Sequence, residues 1–96
     1  MSINWSQFAI EDRLQIFEYI AAENPGAAID CDEAIGEQVG SLAQFPEIGR
    51  PGRVADTREL VVSGTPFIVA YTYEPAQHEI KILRVLHEAQ IWPGSF

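Results

Sequence analysis

The sequence predicts an α+β domain in the order β-α-α-β-β-β, with a helical hairpin packed on one face of a small antiparallel sheet. Three observations carry this expectation. The first half holds two apolar stripes at helical spacing, split by Asn24-Pro25-Gly26. The second half holds three runs rich in β-branched and aromatic residues, split by two turn-like connectors. Charge is also segregated. Met1 to Gly49 carries nine acids and one base, whereas Arg50 to Phe96 carries five of each.

Each element has its own signal. Ile3-Asn4-Trp5 reads as a short first strand, and Ser6 suits a helix N-cap because its hydroxyl accepts from a free backbone N–H. Glu11 and Asp12 follow near the helix start, where negative charge is favoured. Ile10, Leu14, Phe17 and Ala21, widened by Ile20, then form one apolar helical face. Asn24 ends that helix or caps the next, and Pro25 fits a first helical position. Ala28, Cys31, Ile35, Val39 and Leu42 make the second stripe. So short a break implies an antiparallel pair of helices. Gly36 and Gly40 sit inside the second helix, where each costs about 1 kcal/mol against alanine unless a close approach by the first helix offsets it.

Phe45-Pro46 ends the helices, and the Gly-Arg-Pro-Gly-Arg string between Glu47 and Asp56 is incompatible with regular structure. Strands are expected at 57–62, 67–73 and 80–86, joined as a meander by Ser63-Gly64-Thr65-Pro66 and Glu74-Pro75-Ala76-Gln77. One sheet face covers the acidic helices and the other is left for something else.

Length and composition bound the function. A chain of 96 residues makes one domain, residues 1–96. A domain of this size buries only about 60–65% of the surface its unfolded chain exposes, so a partner can add substantially to its stability. The longest apolar run falls far short of the ~20 residues that span a bilayer. The start, Met1-Ser2-Ile3-Asn4-Trp5, lacks a basic region before an apolar stretch, so a signal peptide is not expected. Cys31 is the only cysteine, which excludes a disulfide framework and fits a reducing cytosol. A net charge of −8 repels phosphate chains, so direct DNA binding by this chain alone is not expected. One cysteine and the separated His78 and His87 do not form a metal-ligand set, and no cofactor is expected.

Several strings, in order, resemble the toxins of the RelE/ParE toxin–antitoxin superfamily. Phe45-Pro46-Glu47-Ile48-Gly49-Arg50-Pro51-Gly52-Arg53-Val54 is similar to their loop, and Thr57-Arg58-Glu59-Leu60-Val61 to the strand opening that follows. Gly64-Thr65-Pro66-Phe67-Ile68-Val69-Ala70-Tyr71 resembles the next hairpin. Ile82-Leu83-Arg84-Val85-Leu86-His87 and Ala89-Gln90-Ile91-Trp92-Pro93 resemble the closing strand and tail. The resemblance implies a growth-inhibiting toxin of a type II module, of the kind linked to plasmid stabilisation, in a hetero-oligomer with a cognate protein antitoxin. ParE-like members inhibit DNA gyrase by protein–protein contact and cleave nothing. RelE-like members cleave messenger RNA on the ribosome.

RNA cleavage needs a base, an acid and cations for the charge that builds on phosphate. Arg84 and His87 are the candidate catalytic pair for that reading, and Arg50, Arg53 and Arg58 the candidate phosphate- or target-binding residues. The residue reading leaves structural alternatives open. His87 suits a hydrogen-bonded strand end, Arg50 and Arg53 suit pairing with the acidic helices, and Arg84 suits an intramolecular carboxylate. Thr72 stands about where RelE-like enzymes carry an arginine, and the chain is acidic where those enzymes are basic. Simple alternation puts Arg84 with Ile80, Ile82 and Leu86, and His87 on the opposite face, unless the strand ends or bulges first. A ParE-like toxin acting on gyrase is therefore the favoured expectation. A ribosome-dependent nuclease and a degenerate, non-toxic antitoxin-binding member are the alternatives. Ile91, Trp92 and Phe96 are the expected antitoxin contacts, with Trp92 against the antitoxin or folded back on the sheet.

Overall fold

A computed structural model describes all residues, 1–96. The chain runs β1 (Ser2–Trp5), α1 (Gln7–Ala21), α2 (Pro25–Gly40), β2 (Arg50–Pro51), β3 (Arg58–Val61), β4 (Phe67–Glu74) and β5 (Glu79–His87), with single 3₁₀ turns at Ser41–Ala43 and Pro75–Gln77. The strands form one sheet in the order β1-β5-β4-β3-β2. The helical hairpin and the three-strand meander are as the sequence implied.

Two features correct the expected sheet. β1 joins β5 in parallel, Ser2 opposite Glu79 and Trp5 opposite Ile82. Only strands joined by a tight turn must run antiparallel, and β1 meets its neighbour across most of the chain. The Gly-Arg-Pro-Gly-Arg string also supplies a strand. Arg50 and Pro51 pair with Glu59 and Arg58, making a two-residue edge strand of the loop. Proline is tolerated there because its missing N–H faces no neighbour.

Both helices start on side-chain caps. Ser6 Oγ accepts from Ala9 N at 3.0 Å and donates to the Leu83 carbonyl at 2.8 Å, tying the helix start to β5. Asn24 Oδ1 accepts from Ala27 N at 3.1 Å. The helices cover one sheet face. Their core combines Ala9, Ile35, Val39 and Leu42 with Leu60, Val62, Phe67, Val69, Tyr71, Ile80, Ile82 and Val85.

The stripe expected on α2 is the one observed, with Ala28, Ile35, Val39 and Leu42 buried and Cys31 half-buried. The stripe expected on α1 is corrected. Ala9, Ile16 and Ile20 face the core, whereas Ile10 and Leu14 are half exposed. Helix α1 is apolar on more than one side, and the small Ala9 permits the close approach to the sheet. Glu11 and Asp12 lie beyond the first turn and cap nothing there; Asp12 serves the sheet instead.

The close approach by α1 is present at Gly36 and absent at Gly40. A Cβ on Gly36 would lie 2.8 Å from Nη2 of Arg13, which crosses from α1 to reach Asp32. A Cβ on Gly40 would meet nothing within 4 Å. Gly49 is tighter. Its Cβ would fall 2.6 Å from the Tyr71 hydroxyl, which accepts from Gly49 N and donates to the Pro46 carbonyl, both at 2.9 Å. Gly40→Ala should raise stability by about 0.5 kcal/mol, a fraction of the interior glycine penalty. Gly36→Ala should gain less because Arg13 must move. Gly49→Ala should cost about 2–3 kcal/mol through overpacking and a lost buried hydrogen bond. Urea unfolding of the three variants checks the order.

Candidate functional site

The site residues named from sequence lie in two places. The first is the loop between α2 and β3. Glu59 is the one buried charged residue, 2% exposed. Its register opposite Ala70 and Arg50 sets it on the sheet face away from the helices. Arg50 Nη2 reaches its Oε1 at 3.0 Å, and Arg53 Nε reaches its Oε2 at 3.1 Å. The Arg53 backbone N–H donates to Oε2 at 2.7 Å. Arg50 and Arg53 therefore pair with a strand carboxylate, not with the acidic helices. The loop is cinched below by Gly52 N donating to the Thr57 carbonyl at 2.7 Å.

Burial works against the charged form of Glu59. The Arg53 side chain and backbone, then Arg50, outweigh it and hold the carboxyl below the usual carboxylate range. Arg58 points to the other face, as expected for its neighbour in a strand. Its Nη1 donates to the carbonyls of Glu47 at 3.2 Å and Gly49 at 2.9 Å. It pins the loop from behind.

The second place is the end of β5. A bulge interrupts the strand, with Ala70 opposite Arg84 but Tyr71 opposite Ile82, so Leu83 is the extra residue. This corrects the simple alternation. Arg84 parts from Ile80 and Ile82, while Val85 joins them in the core. His87 lies opposite Phe67, its ring edge-on at 5.5 Å. Arg84 and His87 nevertheless line one open cleft of about 400 Å³ with Asp12, Tyr19 and Gln90.

Neither side chain is idle there. Arg84 Nε and Nη2 bind the two Asp12 oxygens at 2.7 and 2.9 Å, a fork-to-fork pair that raises the guanidinium pKa further. The same carboxylate accepts from Val85 N at 3.0 Å, closing the β5 edge that β1 leaves open. His87 Nδ1 accepts from Ala89 N at 2.9 Å, and the His87 carbonyl accepts from Trp92 Nε1 at 3.2 Å.

Trp92 folds back, its ring 3.6 Å from the Arg53 guanidinium carbon. Ile91 is 96% exposed and Phe96 is exposed at the chain end. Two further arginines repeat the motif of an aromatic ring, a guanidinium and a carboxylate. Arg13 lies 5.0 Å from Trp5 and pairs with Asp32, and Arg84 lies 6.0 Å from Phe8. Lys81 sits within 3.7 Å of Glu74 and Glu79. Every lysine and arginine in the chain is thus occupied within it. No three His, Cys, Asp or Glu side chains converge.

Sequence reasoning missed three contributors. Glu59 read only as one residue of a strand, with no partner assigned. Asp12 read as a helix-start charge. The exposed α1 flank of Ile10 and Leu14 read as core. With Trp5, Arg13, Phe17 and Asp32, Ile10 and Leu14 line an open groove of about 440 Å³.

A helical hairpin on a five-stranded sheet is the fold of the RelE/ParE class of toxins. The family model of the ParE toxin of the type II toxin–antitoxin system parDE matches residues 3–92, and this chain belongs to that family. The candidate toxin Y4kP of Sinorhizobium fredii is 38% identical over 91 residues, covering 95% of this chain and 92% of that protein. A chain of the chromosomal ParDE system of P. aeruginosa superposes with a TM-score of 0.80 at 29% identity, over 91% of this chain and 95% of that one. A chain of the E. coli RelBE toxin–antitoxin complex shares the fold, with a TM-score of 0.66 at 10% identity, over 93% and 96%. No helix is long and apolar enough to cross a membrane.

The depressed Glu59 carboxyl fixes the sign of one pH effect. Its stability contribution is full above the unfolded-state value of about 4.3 and is lost as pH falls through the lower folded-state value. Glu59→Gln should cost about 2 kcal/mol at pH 7, the scale of hydrogen bonds to a charged group. It should also flatten the acid limb of the stability curve. A denaturant series from pH 7 to pH 3 reads both effects.

Proposed function

We propose that this ParE-family toxin acts on DNA gyrase by protein–protein contact. One observation carries the choice: the arginines that a nuclease would turn toward phosphate are engaged inside the chain. Cleavage of RNA requires cations that meet charge as it develops on the phosphate. Arg84 is held by both oxygens of Asp12, Arg58 by two carbonyls, and Arg50 and Arg53 by Glu59. His87 already accepts a backbone N–H at Nδ1. Thr72 supplies no further cation, and its hydroxyl oxygen is buried without a partner. A surface of paired charges and exposed apolar side chains is suited to a protein target.

The antitoxin is the second partner. Helix α1 exposes Ile10 and Leu14, one turn apart on one face beside the half-buried Phe17, in a line that the core leaves bare. Acids crowd the hairpin around it. An amphipathic antitoxin helix with basic flanks matches both features, burying the apolar line and answering the charge. Ile91 and Phe96 of the tail are additional contacts for an extended arm, and Trp92 joins them once it leaves Arg53.

The cleft shared by Arg84 and His87 is what favours the ribosomal alternative, and one paired assay separates the readings. Purified toxin should block gyrase supercoiling and leave in vitro translation intact. Codon-specific cuts in messenger RNA, lost in Arg84→Ala or His87→Ala, would establish the nuclease instead. Silence in both assays would mark a non-toxic antitoxin binder. Leu14→Asp should weaken antitoxin binding at least about 30-fold, the scale of a buried interface anchor, while changing the melting temperature little. Calorimetric titration and a thermal scan report the two quantities.

A further inference from the structure

The helices cover one face of the sheet, yet side chains on the opposite face are also buried. Register places Ile68 and Ala70 there, opposite Val61 and Glu59, and Leu86 beside them. They are 3%, 0% and 2% exposed, and none belongs to the core cluster under the helices. The C-terminal tail reaches this side of the sheet. Its last backbone hydrogen bond runs from Gln90 N to the His87 carbonyl at 3.1 Å. Past that point only Trp92 holds the chain, through Arg53 on its ring and the His87 carbonyl on its Nε1. Ile91 is almost fully exposed and Phe96 about half, and neither makes a hydrogen bond.

We propose that Ile91–Phe96 form a strap that closes over the outer sheet face in the free chain, fastened by the Trp92–Arg53 stack. The fastening depends on the buried carboxylate. Glu59 takes Nε and Nη2 of Arg53, so the guanidinium is held flat for the indole to lie on. A lysine would keep the charge and lose the plane. A partner that uses Arg53 or the outer face must first lift the strap, and its apparent affinity falls by the closed fraction. The strap is a property of the chain itself and stands whether gyrase or the ribosome is the target.

Trp5 and Trp92 are the two tryptophans, so Trp5→Phe leaves Trp92 as a single reporter. In that background acrylamide should quench Trp92 weakly. Arg53→Lys should increase quenching about three- to tenfold, the change in population that loss of one desolvated stack allows. Arg50→Gln, which shares Glu59 without stacking on Trp92, should leave quenching unchanged. In the natural chain, deleting residues 91–96 or introducing Arg53→Lys should raise the emission of the apolar dye anilinonaphthalene sulfonate. Equal quenching in the parent and in Arg53→Lys would overturn the proposal. So would an equal effect of Arg50→Gln, or a dye signal that stays flat after the deletion.

Discussion

One buried carboxylate organises the half of the molecule that faces outward. Glu59 sits in the sheet, shut off from water, and such a group is tolerated only when its hydrogen bonds are answered. Two arginines and a backbone N–H answer them. Those bonds turn a Gly-Pro loop into an edge strand, and they present a flat guanidinium on which the tail can lie. Remove the carboxylate and the loop, the edge strand and the fastening of the tail lose their common support.

The same economy recurs around the molecule. Asp12 holds Arg84 and closes the open edge of β5 in one gesture. Asp32 holds Arg13 across the helical hairpin, over the gap that Gly36 leaves. In each case an aromatic ring lies on the guanidinium. The acidic excess is therefore not spread evenly as solvating charge. Part of it neutralises the few basic groups, and the rest remains on the hairpin around an exposed apolar line. Such a surface repels nucleic acid and suits a protein partner of opposite charge.

Much of the fold was legible in the sequence because its signals are local. Asn24-Pro25 and Gly64-Thr65-Pro66 are punctuation with a mechanism, and the meander strands are rich in residues that fit a pleated surface. Helix α1 was legible as a helix but not in its rotation. Ile10, Leu14 and Phe17 outweigh Ala9, Ile16 and Ile20 in apolar content, so the bulkier side faces out and the smaller side packs. Periodicity cannot separate a face made for the core from a face made for another protein. Among the site residues, the partners of Arg84 and Glu59 were hidden for different reasons. Asp12 lies 72 residues from Arg84 in sequence, and a bulge at Leu83 that simple alternation does not foretell takes Arg84 off the row of Ile80 and Ile82. Glu59 carried a fainter signal, two arginines six and nine residues upstream in a loop short enough to fold over it.

If the arginines are spent within the chain, the protein has little left to offer a phosphate backbone. Fluorescence polarisation with a short labelled RNA at low salt measures this directly. No complex tighter than about 10⁻⁴ M is expected, the weak end of non-specific binding, because an acidic body with occupied cations releases few counterions. Micromolar binding that falls steeply as salt is raised would show free cations on the surface, and the internal pairing described here would not hold in solution.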